Sequence, residues 1–170
     1  MLFRSPNGPI RSRFLVGCAG LHADRVARRS GARPDARILP FRGEYLDVTG
    51  PSADLVRGLV YPVPDPRFPF LGVHLTRNLD GGVHAGPNAV LALAREGYNW
   101  FDISPRDMAS TLAWPGTARL LRRYWRPGLD EVIRSLSRHR FMTAARLLVP
   151  DLNAADVRRA PAGVRAQAVD

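Results

Sequence analysis

The feature that most constrains this chain is a single change of hydrophobic period near Asn99. Before it, apolar residues recur in short alternations of two. After it they recur at the helical spacing of about 3.6. A chain that switches period once is neither a uniform bundle nor a uniform sandwich, and the pattern predicts an α+β fold in which strands precede a helical C-terminal half. Ahead of the switch, Phe14-Leu15-Val16 reads as a short buried strand. Arg37 to Val48 alternates through Ile38, Phe41, Glu44, Tyr45 and Val48, as a strand with a bend at Gly43. Phe70 to Arg77 and Gly82 to Gly86 read as a hairpin around Asp80-Gly81. With a two-residue turn Arg77 faces His84, whereas a longer loop shifts the register and sends the two side chains to opposite faces. Pro62, Pro64, Pro66 and Pro69 prevent a continuous ladder or helix between Leu59 and Phe70, so that segment is expected to be an extended, stiff loop.

Beyond the switch the punctuation is sharp. Ser104 is placed to cap a helix with Pro105 at its first position, Asp107 three residues after the cap and Ile103 poised to staple onto Met108. Leu129, Val132, Ile133 and Leu136 form one apolar stripe, and Phe141, Ala144, Ala145 and Leu148 form another that stops at Pro150. Asn153 with Asp156 marks a short capped turn, and Gly163 to Gln167 alternates as a strand. The expected organisation is an irregular tail over 1–12, a strand, small-residue turn and helix over 13–36, and a larger unit over 37–170.

Charge narrows the function. The 170 residues carry a formal net charge of +10, with 25 basic residues, all Arg. Such an excess calls for an acidic partner: nucleic acid, an anionic lipid surface or a carboxylate substrate. It is concentrated in the two ends of the chain, and the middle is mildly acidic. Arg119, Arg122, Arg123 and Arg126 interleave with Tyr124 and Trp125. No helix-turn-helix, zinc-finger or RNA-binding signature accompanies them, so nucleic acid is not the expected partner. The single Cys18 allows no internal disulfide, and four scattered His give no metal-ligand spacing, so a reducing, cytoplasmic setting without metal is expected. No apolar run approaches the roughly 20 residues of a membrane span, and the first residues lack the core of an export signal.

Three places invite chemistry. The small-residue turn Gly17-Cys18-Ala19-Gly20, set between a strand and a helix, would let a phosphate reach unpaired N–H groups, or is simply a tight packing turn. His74, between Val73 and Leu75 on a strand, is either a rigidly aimed general base or a satisfied core imidazole. Arg165, in a small and apolar context, demands an anionic partner, whether a bound carboxylate or a neighbouring acid. Neither G-x-G-x-x-G nor G-x-x-x-x-G-K-[ST] occurs.

From about Phe14 onward the sequence resembles the L-2-hydroxyglutarate oxidase/dehydrogenase family, flavoproteins of the D-amino-acid oxidase-like superfamily. The resemblance runs through Cys18-Ala19-Gly20-Leu21, Pro40-Phe41-Arg42-Gly43-Glu44-Tyr45, the stretch from Tyr61 to His74, Gly86-Pro87-Asn88-Ala89-Val90-Leu91-Ala92, Arg95-Glu96-Gly97-Tyr98 and Gly163-Val164-Arg165-Ala166-Gln167. It implies FAD as cofactor, oxidation of L-2-hydroxyglutarate to 2-oxoglutarate, and oxygen or a quinone as electron acceptor, the latter with peripheral contact at the inner membrane. It implies also a truncated FAD-dependent oxidoreductase fold that lacks the N-terminal Rossmann βαβ unit, with 13–36 a remnant of the FAD-binding domain and 37–170 a substrate-binding domain built from a mixed sheet with helices. Gly17 departs from the family's usual Asn. By the same resemblance Cys18, Ala19 and Gly20 would line FAD, His74 would be the base, and Arg165 would clamp a carboxylate. Tyr61, Arg42, Arg77 and His84 are secondary candidates for the distal carboxylate. The competing expectation is an Arg-rich module that binds nucleic acid or an anionic membrane surface without catalysis.

Overall fold

The computed structural model describes residues 2–64 and 72–170. Pro66, Pro69 and Phe70, expected in the stiff loop and at the start of the hairpin, lie outside the described residues. Leu2–Ser5 (β1) and Gly8–Arg11 (β2) pair as an antiparallel hairpin where an irregular tail was expected. Pro6, Asn7 and Gly8, the last at φ 105, supply the turn chemistry. The expected strand at Phe14-Leu15-Val16 is absent: these residues are irregular, with Phe14 86% and Val16 83% exposed. Apolar composition satisfies the strand pattern, but a strand also needs a ladder partner, and none of the described strands offers one. The helix that follows is present as Ala23–Arg29 (α1), led in by a tight 3-10 turn over Gly20–His22 and ended at Gly31.

The bend at Gly43 is where the chain changes sheets. Arg37–Gly43 (β3) and Leu46–Val48 (β4) were read as one bent strand. β3 forms the centre of a three-stranded sheet, between Val90–Leu91 and Gly163–Val169, whereas β4 joins a five-stranded sheet. The latter runs Leu59–Val60 (β5), His74–Arg77 (β6), Val83–Gly86 (β7), β4 and a strand over Val157–Arg159, which the sequence pattern did not reveal. Every described strand pair is antiparallel, so the expected mixed sheets are not seen; no βαβ crossover links strands in the described chain. Numbering onward, Val90–Leu91 is β8, Val157–Arg159 is β9 and Gly163–Val169 is β10.

The β6–β7 connection is longer than a two-residue turn: Asn78 N–H donates to the Gly82 carbonyl at 2.7 Å, and Arg77 pairs with Val83 while Thr76 pairs with His84. Arg77 and His84 therefore occupy opposite faces. On one face Leu46, Val48, Leu75, Val83, Ala85 and Val157 form the apolar core. Pro105–Leu112 (α2), Pro115–Leu136 (α3) and Arg138–Arg146 (α4) follow the period switch, and α4 lays Phe141, Met142 and Ala145 on that core. Ser104 caps α2 as expected, its Oγ accepting from Asp107 N–H at 3.3 Å. α3 breaks helical geometry at Tyr124 (φ −121, ψ 22), three residues before Pro127, which has no N–H to offer the preceding turn. The stripe expected on α3 is only partly covered, with Leu129 and Leu136 exposed and Val132 and Ile133 half-buried.

Two glycines let the sheets meet. A Cβ at Gly43 would lie 2.4 Å from Pro87 Cβ, and one at Gly86 (φ 129) 2.7 Å from the Glu44 carbonyl oxygen. Only a residue without a side chain permits both approaches.

Candidate active site

Side chains alternate along a strand, so the face of the five-stranded sheet opposite the core is fixed by the same register. It carries His74, Thr76, His84, Asp47 and Arg158, with Thr76, His84, Asp47 and Arg158 in one cross-strand row. His74 pairs with Gly86 and is half-buried. Its Nδ1 lies 3.0 Å from the Gly72 carbonyl oxygen. A carbonyl only accepts, so Nδ1 carries the proton, and in the neutral ring Nε2 keeps its lone pair. His84 is held in the same way by a stronger partner: its Nδ1 is 2.5 Å from Asp47 Oδ1. The Tyr45 ring meets the His84 ring edge to face at 6.3 Å.

Arg165 is an exposed residue of β10 that pairs with Phe41. Two residues earlier Gly163 pairs with Gly43, the residue packed on Pro87, and Pro87 follows the Gly86 partner of His74. His74 and Arg165 thus lie on strands of two sheets that meet where Gly43 packs on Pro87. Arg42 points to the other face of β3, with Val164 and Val90 as its neighbours. It is 3% exposed, stacks its guanidinium 4.1 Å over Trp100 and donates from Nη1 to the Asn99 carbonyl at 3.0 Å. Burial lowers its pKa, opposed by the Glu44 and Asp102 charges. Its Nε and Nη2, and Nδ2 of buried Asn88, have no hydrogen-bond partner among the described residues.

Arg77 lies apart from the polar face and braces the 3-10 segment Gly50–Leu55, donating from Nη1 to the carbonyls of Ala53 and Val56 at 3.2 and 3.1 Å. Tyr61 is exposed just after β5. Cys18 and Gly20 are exposed, and a Cβ built at Gly20 meets nothing within 4 Å. With the strand before it absent and only a short helix after it, the turn is not the strand–turn–helix anion cradle anticipated. Cys18 and Gly20 are open to solvent, as are Phe14 and Val16 just before them.

Sequence reasoning missed the polar cluster that anchors this turn. Arg95 and Asp24 are both buried, and two guanidinium nitrogens meet the two carboxylate oxygens at 2.6 and 2.8 Å. Arg95 also donates to the Leu21 carbonyl, next to Gly20. Its backbone N–H donates to Asp107 at 2.9 Å, and Asp107 is paired in turn with Arg25. Burial by itself raises the Asp24 pKa, but the hydrogen bond and charge of Arg95 outweigh it and leave the carboxyl below its usual range. The available signal was an Arg directly after the apolar run Ala89 to Ala94.

The pattern of the family described as FAD dependent oxidoreductase matches residues 4–170. The chain belongs to that family. Among its relatives, the L-2-hydroxyglutarate dehydrogenase of Indibacter alkaliphilus is 45% identical over 170 residues, covering 99% of this chain and 43% of the relative. The mitochondrial L-2-hydroxyglutarate dehydrogenase of Nematostella vectensis is 46% identical over 169 residues, 99% of this chain and 37% of its own length. The mitochondrial enzyme of Homo sapiens is 44% identical over 161 residues, 95% of this chain and 35% of its own. The chain therefore spans about two fifths of the length of these relatives. Among the described residues no helix is long and apolar enough to cross a membrane, and no three His, Cys, Asp or Glu side chains gather to hold a metal ion.

Proposed function

We propose that this chain supplies the substrate-facing part of an FAD-dependent oxidoreductase that oxidises L-2-hydroxyglutarate to 2-oxoglutarate. The observation that carries this reading is the identity of 44 to 46% with L-2-hydroxyglutarate dehydrogenases over nearly the whole chain. Identity at that level over nearly the whole chain favours retention of the same chemistry. The alternative of an Arg-rich module without catalysis draws no support from these relatives. In this reading residues 13–36 belong to the flavin side, residues 37–170 to the substrate side, and the Rossmann βαβ unit is not part of this chain.

Bound FAD supplies the acceptor for a hydride leaving the carbinol carbon. The chain's own residues handle the proton and the charges. His74 Nε2, its lone pair fixed by the Nδ1–H bond to Gly72, takes the hydroxyl proton as the C–O bond becomes a carbonyl. Arg165 binds the carboxylate next to the reacting carbon with its fork of donors. Cys18, Ala19 and Gly20 would border the cofactor. Arg77 is occupied in bracing Ala53 and Val56, and Arg42 faces away from Arg165, so neither serves the same diacid from the same side. His84 is committed through Nδ1 to the Asp47 carboxylate, which leaves Tyr61 as the candidate for the distal carboxylate.

The test uses the flavin-loaded enzyme of which this chain is a part. His74→Gln should lower kcat for L-2-hydroxyglutarate by about 10²- to 10⁴-fold, the range of a lost general base, with flavin content unchanged. Arg165→Met should act mainly on KM. Wild-type turnover in both variants refutes the assignment.

A further inference from the structure

Once per turnover the base must shed the proton it has taken, and the polar sheet face offers a route. We propose that His84, positioned by Asp47, relays that proton from His74 toward solvent. This inference rests on the proposed role of His74.

Three observations carry it. First, the register pairs His74 with Gly86 and Thr76 with His84, making the two imidazoles diagonal neighbours on one face. Such neighbours stand roughly 7–8 Å apart, within reach of aromatic and long side chains. Second, both rings are fixed in the same tautomer. Nδ1–H of His74 is committed to the Gly72 carbonyl and Nδ1–H of His84 to the Asp47 carboxylate, so each ring keeps Nε2 for proton exchange. Third, the row leads outward. His84 and Asp47 are 41% and 40% exposed at the side chain, and Arg158, the strand partner of Asp47, is exposed.

The transfer balances without any co-reactant. The proton on His74 Nε2 passes to His84 Nε2. His84 then releases its Nδ1 proton along the bond to Asp47 and on to bulk water, and ring rotation or re-protonation from water restores the starting tautomer. Asp47 touches neither substrate nor cofactor in this scheme and is a positioning residue.

The test compares His84→Gln, Asp47→Asn and Asp47→Glu in the flavin-loaded enzyme of which this chain is a part. His84→Gln should lower kcat about 10- to 100-fold with KM little changed, raise the solvent isotope effect on kcat and shrink that of the substrate C–H bond. Added imidazole should restore turnover. In ¹⁵N spectra of the histidines, Asp47→Asn should relax the fixed Nδ1–H tautomer of His84, and Asp47→Glu should largely recover it. A His84→Gln variant with unchanged kcat and isotope effects, or one whose loss imidazole does not repair, overturns the relay. The His84 tautomer persisting in Asp47→Asn overturns the positioning role. These failures are separable from failure of the proposed function itself, which is read from His74→Gln and Arg165→Met.

Discussion

Replacing Arg95 by Met should unfold this protein more readily than any surface change, because it strands a buried charge. The Arg95 and Asp24 side chains are 4% and 3% exposed, and the guanidinium meets both carboxylate oxygens while also donating to the Leu21 carbonyl. Removing one member of a buried pair costs about 3–5 kcal/mol. The lower end applies here, since Asp24 retains the Arg28 guanidinium at 3.5 Å and the Ile38 N–H at 3.4 Å. A loss of about 3 kcal/mol corresponds to a fall in Tm of about 6–12 °C for a chain of this size. The double variant Arg95→Met with Asp24→Leu should recover most of that loss, because it removes the orphaned carboxylate as well. The pH dependence has a defined sign. The folded-state pKa of Asp24 is depressed, so its contribution is present above the unfolded value of 3.8 and disappears as pH falls through the lower folded value. In Arg95→Met the desolvation of Asp24 is left largely uncompensated, so the defect should be greatest near neutrality and shrink in acid. Urea denaturation of the three proteins at pH 7 and pH 4 measures all of this. A loss under about 1 kcal/mol for the single variant, or a double variant worse than the single, refutes the reasoning.

Other expectations follow from local geometry. Ser104→Ala removes the side-chain acceptor for Asp107 N–H and should cost about 1 kcal/mol in denaturant titration. Gly43→Ala should destabilise the junction of the two sheets and broaden the amide signals of Gly86 and Asn88, because its Cβ would fall 2.4 Å from Pro87 Cβ and 2.8 Å from the Asn88 carbonyl. Glu131 is held by the Ala89 N–H at 3.1 Å and by Arg134, yet burial raises its pKa. Its stabilising contribution is present below the unfolded value of 4.5 and lost as pH rises through the folded value, so Glu131→Gln should stabilise the protein at pH 7 and converge with wild type in acid.

The period switch at Asn99, the Ser104–Pro105 helix start and the strand carrying Arg165 were legible in sequence because each depends on neighbours within a few residues. Backbone conformation and capping are local, and local chemistry is written in local order. Phe14-Leu15-Val16 misled for the complementary reason, since an apolar triplet does not name its ladder partner. Likewise the choice between two registers for Arg77 and His84 turned on the length of one loop, and a shift of one residue reverses the face of every side chain.

The sequence by itself determined the switch from strands to helices near Asn99, the excess of positive charge and the kinship with flavin-dependent oxidoreductases. Only the tertiary structure decided that Gly43 passes the chain from one sheet to another, that Asp24 meets Arg95 and that Asp47 holds His84. Asp24 and Arg95 stand 71 residues apart, and Asp47 and His84 stand 37 apart. Pairings at such separations are selected by which faces the whole chain can bury at once, and no local pattern encodes that choice.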